Sequence, residues 1–434
     1  MDFYLLNLLN AVLFVRPSEI VEALSTIPVY NIVISTCIAI KYPTILGQLS
    51  GRSLRERPIT ACVVGMWVAV VLSHLSHFTI YYARIQGPEF AKVIVYYLLL
   101  VGVVDTTERL KRFLTSLVVF GVILSVIALL NYHGYIYLPS LAAVGDSEID
   151  AATGEEYILM RLCSTGIFND PNDLAIMLVV CMLICIYRIV SPAADLWRVV
   201  WVAPLVLFGH GLAMTHSRGG FLTLLAGLLA LFQARFGWRK AFPMALVVLP
   251  AMALLFAGRQ TDISASEDTG QGRVQIWSMA MALLPQAPVF GIGMGQLEDV
   301  ILHAAHNSFV HAYVETGIFG GTLFFGAYWI ALTTLGRLGG RRSGLVDPGL
   351  RALQPVLMSI LSGSFVGMMT LSRNYEVPTF MLFGLAAVFL RLAGEQRGAS
   401  VPRLDARLVC HTCAASLVFL ALLYAYIRVF VRWA

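Results

Sequence analysis

Apolar runs of about twenty residues recur along the whole chain, separated by short polar connections rich in Arg, Gly and Pro. A bilayer core about 30 Å thick takes roughly 20 helical residues to cross. A run that is apolar on every face suits a helix surrounded by lipid or by other helices. The pattern predicts membrane-spanning helices near 3–16, 24–43, 58–76, 88–104, 113–131, 173–190, 199–216, 219–234, 241–257, 308–336, 353–371, 377–393 and 408–428. The first run is short. If the last one crosses, Arg428 and Arg432 fall on the unfavourable side, so twelve spans with a surface-lying or re-entrant tail stand beside thirteen. The expectation is an all-α, polytopic integral membrane protein with 12 or 13 helices, forming one membrane domain over 1–434. No soluble domain and no internal repeat is evident.

Only two of the polar connections assigned to the outside are large, 132–172 and 258–307. In the second, Val274, Trp277, Met281 and Leu284 recur at helical spacing from Arg273 onward, and Pro285 ends the run. The turn PVFGIGMGQ follows, and then a second short helix from Leu297 to Ala305. The loop therefore reads as a helical hairpin whose first helix lies along the membrane surface.

Composition agrees with this class: 58% of the 434 residues are hydrophobic and 13% charged, with a mean hydropathy of +0.78. Charge then sets orientation, because Lys and Arg collect on the cytoplasmic side. With the N-terminus inside, the inner connections hold 20 of the 30 Lys and Arg residues, whereas 131–173 is acidic, with Arg161 alone in opposition. The net charge of +5 is thus a consequence of topology and points to no nucleic-acid partner. The opening segment lacks a basic leader and a small-residue cleavage site, and is not read as a removable signal peptide. The seven cysteines suggest no disulfide framework. Cys410 and Cys413 form a C-H-T-C read mainly as small-residue packing, with a redox or zinc role as the alternative.

The residues suited to chemistry gather at the outer ends of the spans. Thr215-His216-Ser217-Arg218-Gly219-Gly220 joins two spans with almost no loop, which holds Arg218 and Ser217 at headgroup depth. A guanidinium there can grip a diphosphate with two parallel hydrogen bonds. The plainer reading is an interfacial arginine beside glycines that let helices approach. Arg273 and His306 bracket the hairpin. A neutral histidine can take the proton from an attacking sugar hydroxyl, and an arginine can balance charge growing on a departing diphosphate. Helix capping is the plainer role for His306. Asn307 is grouped with these substrate contacts. Glu315 lies nine residues after His306 inside a span, where an ionisable side chain is a functional candidate. Asn169-Asp170-Pro171-Asn172-Asp173 opens the sixth span as an ordinary helix cap, with substrate contact by Asn172 or Asp173 as the alternative. Arg373, Asn374, Tyr375 and Glu376 form a similar polar knot.

Two other patterns weigh less. Gly291, Gly293 and Gly295 resemble a phosphate-cradling loop only superficially, since no strand precedes them and they lie outside, and a tight turn against lipid or another helix fits better. His303, His306 and His311 lack an Asp, Glu or Cys to complete a metal set.

THSRGGFLTLLAG, GRVQIWSMAMALLPQAPVFGIGMGQ and HNSFVHAYVETGIFGG, in that order around one outer loop, resemble the signature of the O-antigen ligase and O-antigen polymerase superfamily. GIFNDPNDLA is similar to a segment common there. The resemblance is specific over 160–325, and implies a GT-C-like enzyme of the bacterial inner membrane with its active site facing the periplasm. It implies transfer of a glycan from an undecaprenyl-diphosphate carrier to an acceptor, with inversion and with no cofactor, nucleotide sugar or metal. Arg218, Arg273 and His306 match the family's membrane-edge arginine, loop arginine and loop histidine, implied to bind the diphosphate and activate the acceptor. A carrier-linked repeat unit as acceptor would make a polymerase for O-antigen or exopolysaccharide. Lipid A core would make a ligase. The compact outer loop favours the polymerase. A transporter or flippase is the reading from another class, and it predicts polar residues at the midplane on broken helices.

Overall fold

The structure, a computed structural model, describes residues 1–149, 156–190, 196–255, 268–340, 344–396 and 398–432. Residues 150–155 and 258–267 of the two large loops fall outside the described residues, as do Arg341 and Arg342. In chain order the helices are α1 (Asp2–Phe14), α2 (Pro17–Ile20), α3 (Val29–Gln48), α4 (Gly51–Glu56), α5 (Pro58–Leu75), α6 (Ile80–Val103), α7 (Thr107–Tyr132), α8 (Pro171–Val190) and α9 (Val202–Met214). They continue as α10 (Arg218–Phe236), α11 (Trp238–Leu255), α12 (Asp268–Met281), α13 (Gln296–Ile301), α14 (Ser308–Leu338), α15 (Pro348–Gly367), α16 (Val377–Gly394) and α17 (Ala406–Phe430). Among the described residues, ten helices are long and apolar enough to cross a membrane: α3, α5, α6, α7, α8, α10, α14, α15, α16 and α17. α1 and the stretch Arg198–Met214 are apolar but shorter, and α11 occupies the remaining expected run. This is an all-α, multi-pass membrane protein.

Several boundaries move. α6 begins at Ile80 rather than near 88, because Arg84 and Glu89, which interrupt the apolar run, sit on its exposed faces. α17 is one continuous helix of 25 residues. Its last turn meets α12, where Gln271 Nε2 donates to the Phe430 carbonyl (3.0 Å) and Gln275 Nε2 to that of Arg432 (2.6 Å). The loop 132–172 contains an element that the sequence pattern did not announce. It is an antiparallel hairpin of β1 (Val144–Ile149) and β2 (Glu156–Arg161), in register Val144 opposite Arg161 and Asp146 opposite Leu159.

The chain divides into two compact units. The first comprises Met1–Ile40 and Glu108–Asp262. Its centre is α8, apolar on every side and flanked by α9 and α10. Small residues set how closely the helices approach. A Cβ at Gly121 of α7 would lie 2.7 Å from Cys181 Sγ, and one at Gly220 of α10 would lie 2.6 Å from Ala175 Cβ.

The second unit comprises Lys41–Thr107 and Ile263–Ala434. α14 is its axis, packed on α5, α15, α16 and α17. Aromatic rings fill the contact: Phe309 lies 4.9 Å from Phe365 and 5.0 Å from Phe419, and Tyr328 lies 4.7 Å from Phe383. α14 is broken at Gly317 (φ 67°, ψ −172°), a backbone region open essentially to glycine alone. The turn after α12 fills the break like a strand. Ile292 N donates to Val314 O (3.0 Å), Gly293 N to Glu315 O (3.0 Å), Ile318 N to Pro288 O (2.9 Å) and Phe319 N to Val289 O (3.1 Å). Two carbonyls and two N–H groups of α14 at the break are thereby paired.

Candidate functional site

In the first unit, α9 and α10 are joined by Thr215-His216-Ser217, and Arg218 is the first residue of α10. Ser217 is buried and caps α10 by accepting from Gly220 N (3.0 Å). Its hydroxyl donates to Asn172 Oδ1 (2.7 Å). The residue that organises this turn is Arg161, 8% exposed at the end of β2. Its Nε donates to the Thr215 carbonyl (2.9 Å), Nη1 to Asp146 Oδ2 (2.8 Å) and Nη2 to Asn172 Oδ1 (3.0 Å). One guanidinium fork thus ties the β-hairpin, the start of α8 and the Arg218 turn together. Sequence reasoning noted Arg161 only as the one cation in an acidic loop. Its solitude was the available signal. Asp170 Oδ1 accepts from Asn172 N (2.7 Å), as the capping reading expected, and Asp173 is buried in the first turn of α8. Ser217 and Asn172 are therefore tied to one another, to Arg161 and to the backbone, while Arg218 is half-buried at a helix start. The α10 dipole presents its positive end at that point.

In the second unit, α12 carries Arg273 and α14 follows His306. The expected apolar stripe is present, but it faces inward: Val274 and Met281 are buried against Val310, Val314 and Ile427 of α14 and α17. α12 begins at Asp268 and ends at Met281, earlier than expected at both ends, and α13 stops at Ile301. One turn after Arg273, Trp277 Nε1 donates to the Ala305 carbonyl (2.6 Å), which fixes the peptide just before His306. On the other side Asn307, 1% exposed, caps α14 by accepting from Phe309 N (3.0 Å) and Val310 N (3.2 Å). Ser308 Oγ donates to Leu371 O (2.6 Å) and accepts from Arg373 N (2.8 Å). Between these anchors His306 sits half-buried at φ 48°, a left-handed conformation that a side chain bearing a Cβ adopts only when its surroundings impose it.

Glu315 lies at the α14 break with 0% exposure. Its Oε1 accepts from Gly295 N (2.8 Å) and Leu297 N (3.2 Å) and faces His311 Nε2 at 3.0 Å. The carboxylate thus fastens the glycine turn and the start of α13 onto α14. The three glycines of that turn all have positive φ. A Cβ at Gly291 would lie 2.3 Å from the Glu315 carbonyl carbon, so the turn packs against a helix, as the sequence favoured over a phosphate cradle. Tyr375 sets its ring edge-on to His311 at 6.0 Å. Burial, with the negative charge of Glu315 adding to it, holds the Tyr375 hydroxyl well above its ordinary pKa. Arg373, half-buried, donates from Nη1 to the Ser372 carbonyl (3.0 Å). The structure thus brings Glu315, His311 and Tyr375 together, and places Arg273 and His306 on elements tied by one hydrogen bond. Among the described residues no three His, Cys, Asp or Glu side chains group as metal ligands would.

Residues 203–325 match the family model described as O-antigen ligase. The match contains Arg218, Arg273, His306 and Glu315, and excludes Asn172, Asp173, Arg373 and Tyr375. No curated protein gives a significant match to the chain.

Proposed function

We propose, from the match of residues 203–325 to the O-antigen ligase family model and from the multi-pass helical fold, a glycan transfer of the ligase and polymerase type. The donor is an oligosaccharide on undecaprenyl diphosphate, and the acceptor is a sugar hydroxyl at the periplasmic face of the bacterial inner membrane. The acceptor oxygen attacks the anomeric carbon in line as the bond from that carbon to the diphosphate oxygen breaks, so configuration inverts. His306 takes the hydroxyl proton, and the diphosphate leaves with the bonding electron pair. Arg218 and Arg273 balance its charge, and no step calls on a metal or cofactor. The observation that carries this reading is the position of His306, locked in a strained backbone between the Trp277 hydrogen bond and the Asn307 cap. A histidine needed only as a helix cap would not require that, because Asn307 already supplies the cap. Ser217, Asn172 and Asn307 support the geometry of the charged residues. Asp173, Arg373 and Tyr375 are proposed to contact the glycan.

The test is reconstitution of the purified protein with a carrier-linked repeat unit alone and then with lipid A core added, with products resolved by gel. The polymerase reading expects a ladder from donor alone. A single transfer that needs core identifies a ligase, and retention of configuration overturns the mechanism. The break in α14 is a device that transporters also use. Here the loop Pro288–Gly293 fills it near the Ser308 end of the helix, so the gap is taken by the chain's own backbone, which favours the enzyme.

A further inference from the structure

α14 and α17 run antiparallel and touch closely over part of their length. The Tyr313 and Thr322 hydroxyls lie 2.7 and 2.8 Å from Ser416 Oγ, and a Cβ at Gly326 would lie 2.8 Å from Thr412 Cγ2. Between Trp329–Arg337 on one helix and Arg407–Ala414 on the other is a cavity of about 560 Å³, closed at its end by Pro402, Arg403 and Asp405. Its walls divide by chemistry. Trp329, Leu408 and Ala414 form an apolar part, while Arg337, Arg403 and Arg407 bring cations to it and His411 stands beside them. Asp405 is the one acid in the lining, and its Oδ1 already accepts from Leu408 N (2.7 Å) to cap α17. Among the described residues, Arg337, Arg403 and Arg407 have no carboxylate within ion-pair distance and donate no side-chain hydrogen bond.

The neighbouring cavity of about 320 Å³ shares Arg403 but is balanced differently. There Glu56 and Glu395 share the lining with Arg57 and Arg391, and Arg391 spends its fork on the carbonyls of Val101 and Val104 (2.8 and 2.6 Å). Of these two cavities the α14–α17 one carries the larger excess of arginine over acid in its lining. It also adjoins a helix whose spanning stretch is only 11% buried by protein, so α17 presents most of its surface to lipid.

We propose that this cavity binds an anionic phospholipid, its phosphate on Arg337, Arg403 and Arg407 and an acyl chain along Trp329, Leu408 and Ala414. The pocket is wide enough for one chain and headgroup edge. Guanidinium forks match phosphate oxygens in pairs, and basic clefts between spanning helices are suited to such headgroups.

The test uses the full-length protein in neutral detergent, titrated with phosphatidylglycerol brominated on its acyl chains. Quenching of Trp329 fluorescence is obtained by subtracting the signal of Trp329→Phe. Half-maximal quenching is expected at about 30-fold higher lipid in Arg403→Ala/Arg407→Ala than in wild type, at about fivefold per arginine. Brominated phosphatidylcholine should quench weakly and without dependence on the arginines. If the double variant does not fold, Arg407→Gln alone should show about the fivefold shift. Equal quenching by both lipids means ordinary annular lipid and overturns the site. Displacement by millimolar inorganic phosphate means a soluble anion, and preferential displacement by a polyprenyl phosphate means the carrier. Either of these overturns the phospholipid assignment. No glycan transfer is measured, so the outcome is independent of the proposed reaction.

Discussion

Replacing Glu315 by Gln removes one charge and almost no volume, which makes it a sharp test of how the outer loop is held. In the native protein Oε1 accepts two backbone N–H groups, from Gly295 at 2.8 Å and Leu297 at 3.2 Å, in a position with 0% exposure. A charge-assisted hydrogen bond contributes about 1 kcal/mol more than a neutral one, so the Gln variant keeps both contacts but loses about 2 kcal/mol of restraint. That corresponds to about a 30-fold shift in the ratio of fastened to open loop. Glu315→Ala should cost about 4 kcal/mol, because it leaves two buried N–H groups unpaired at about 2 kcal/mol each. Hydrogen–deuterium exchange followed by mass spectrometry on the 287–299 peptides reads this directly. Exchange at Gly295 and Leu297 should rise about 30-fold in Glu315→Gln and further in Glu315→Ala, with α8 unchanged. If both variants exchange like wild type, the carboxylate does not fasten the loop and the assignment fails.

The remaining expectations concern the two units separately. Arg218→Ala, Arg273→Ala and His306→Ala should each abolish glycan transfer while yield and melting remain near wild type, and wild-type product from all three removes the proposed site. Arg218→Lys should stay far below wild type, since an ammonium does not reproduce the fork; equal activity would reduce Arg218 to an interfacial charge. Arg161→Ala should destabilise the first unit by about 3 kcal/mol, with Lys restoring under half of it, because one ammonium cannot meet three acceptors set by a planar group. Unaltered melting of the Ala variant would mean that the fork is incidental. Gly317→Ala should fail to accumulate as folded protein: its Cβ would lie 2.2 Å from the Val289 carbonyl oxygen in a backbone region that itself costs about 1–3 kcal/mol for other residues. Normal yield would contradict the break.

The helical class was legible because an apolar period needs only local sequence, whereas the span number was not: 12 or 13 runs were expected, and among the described residues ten helices are long and apolar enough to cross. Arg218, Arg273 and His306 were legible as isolated polar residues at the edges of such spans. The partners that fix them were not. Arg161 acts on Thr215, 54 positions away, and no local pattern distinguishes its buried fork from a solvated arginine. The Gly317 break is likewise written in two places, since Thr316-Gly317 reads as ordinary helix until Pro288–Gly293 is seen occupying the gap. Ends shifted where charge and helix part company: Arg84 and Glu89 interrupt the apolar run of α6 yet ride on its surface.

The two chemistry-bearing segments share a construction that neither motif suggests alone. His216 and His306 both adopt φ 48°, and each is followed by a residue whose side chain caps the next helix, Ser217 for α10 and Asn307 for α14. A left-handed residue costs about 1–2 kcal/mol, and a cap returns about 1 kcal/mol, so the strain is nearly offset within three residues. The consequence is a chain reversal with no slack, ending at the positive end of a helix. In the proposed reaction Arg218 and His306 are each held by such a reversal, Arg218 just after the one and His306 within the other. Fixed groups aimed at developing charge need no reorganisation when the bond breaks. A flexible loop of the same composition would forfeit that advantage.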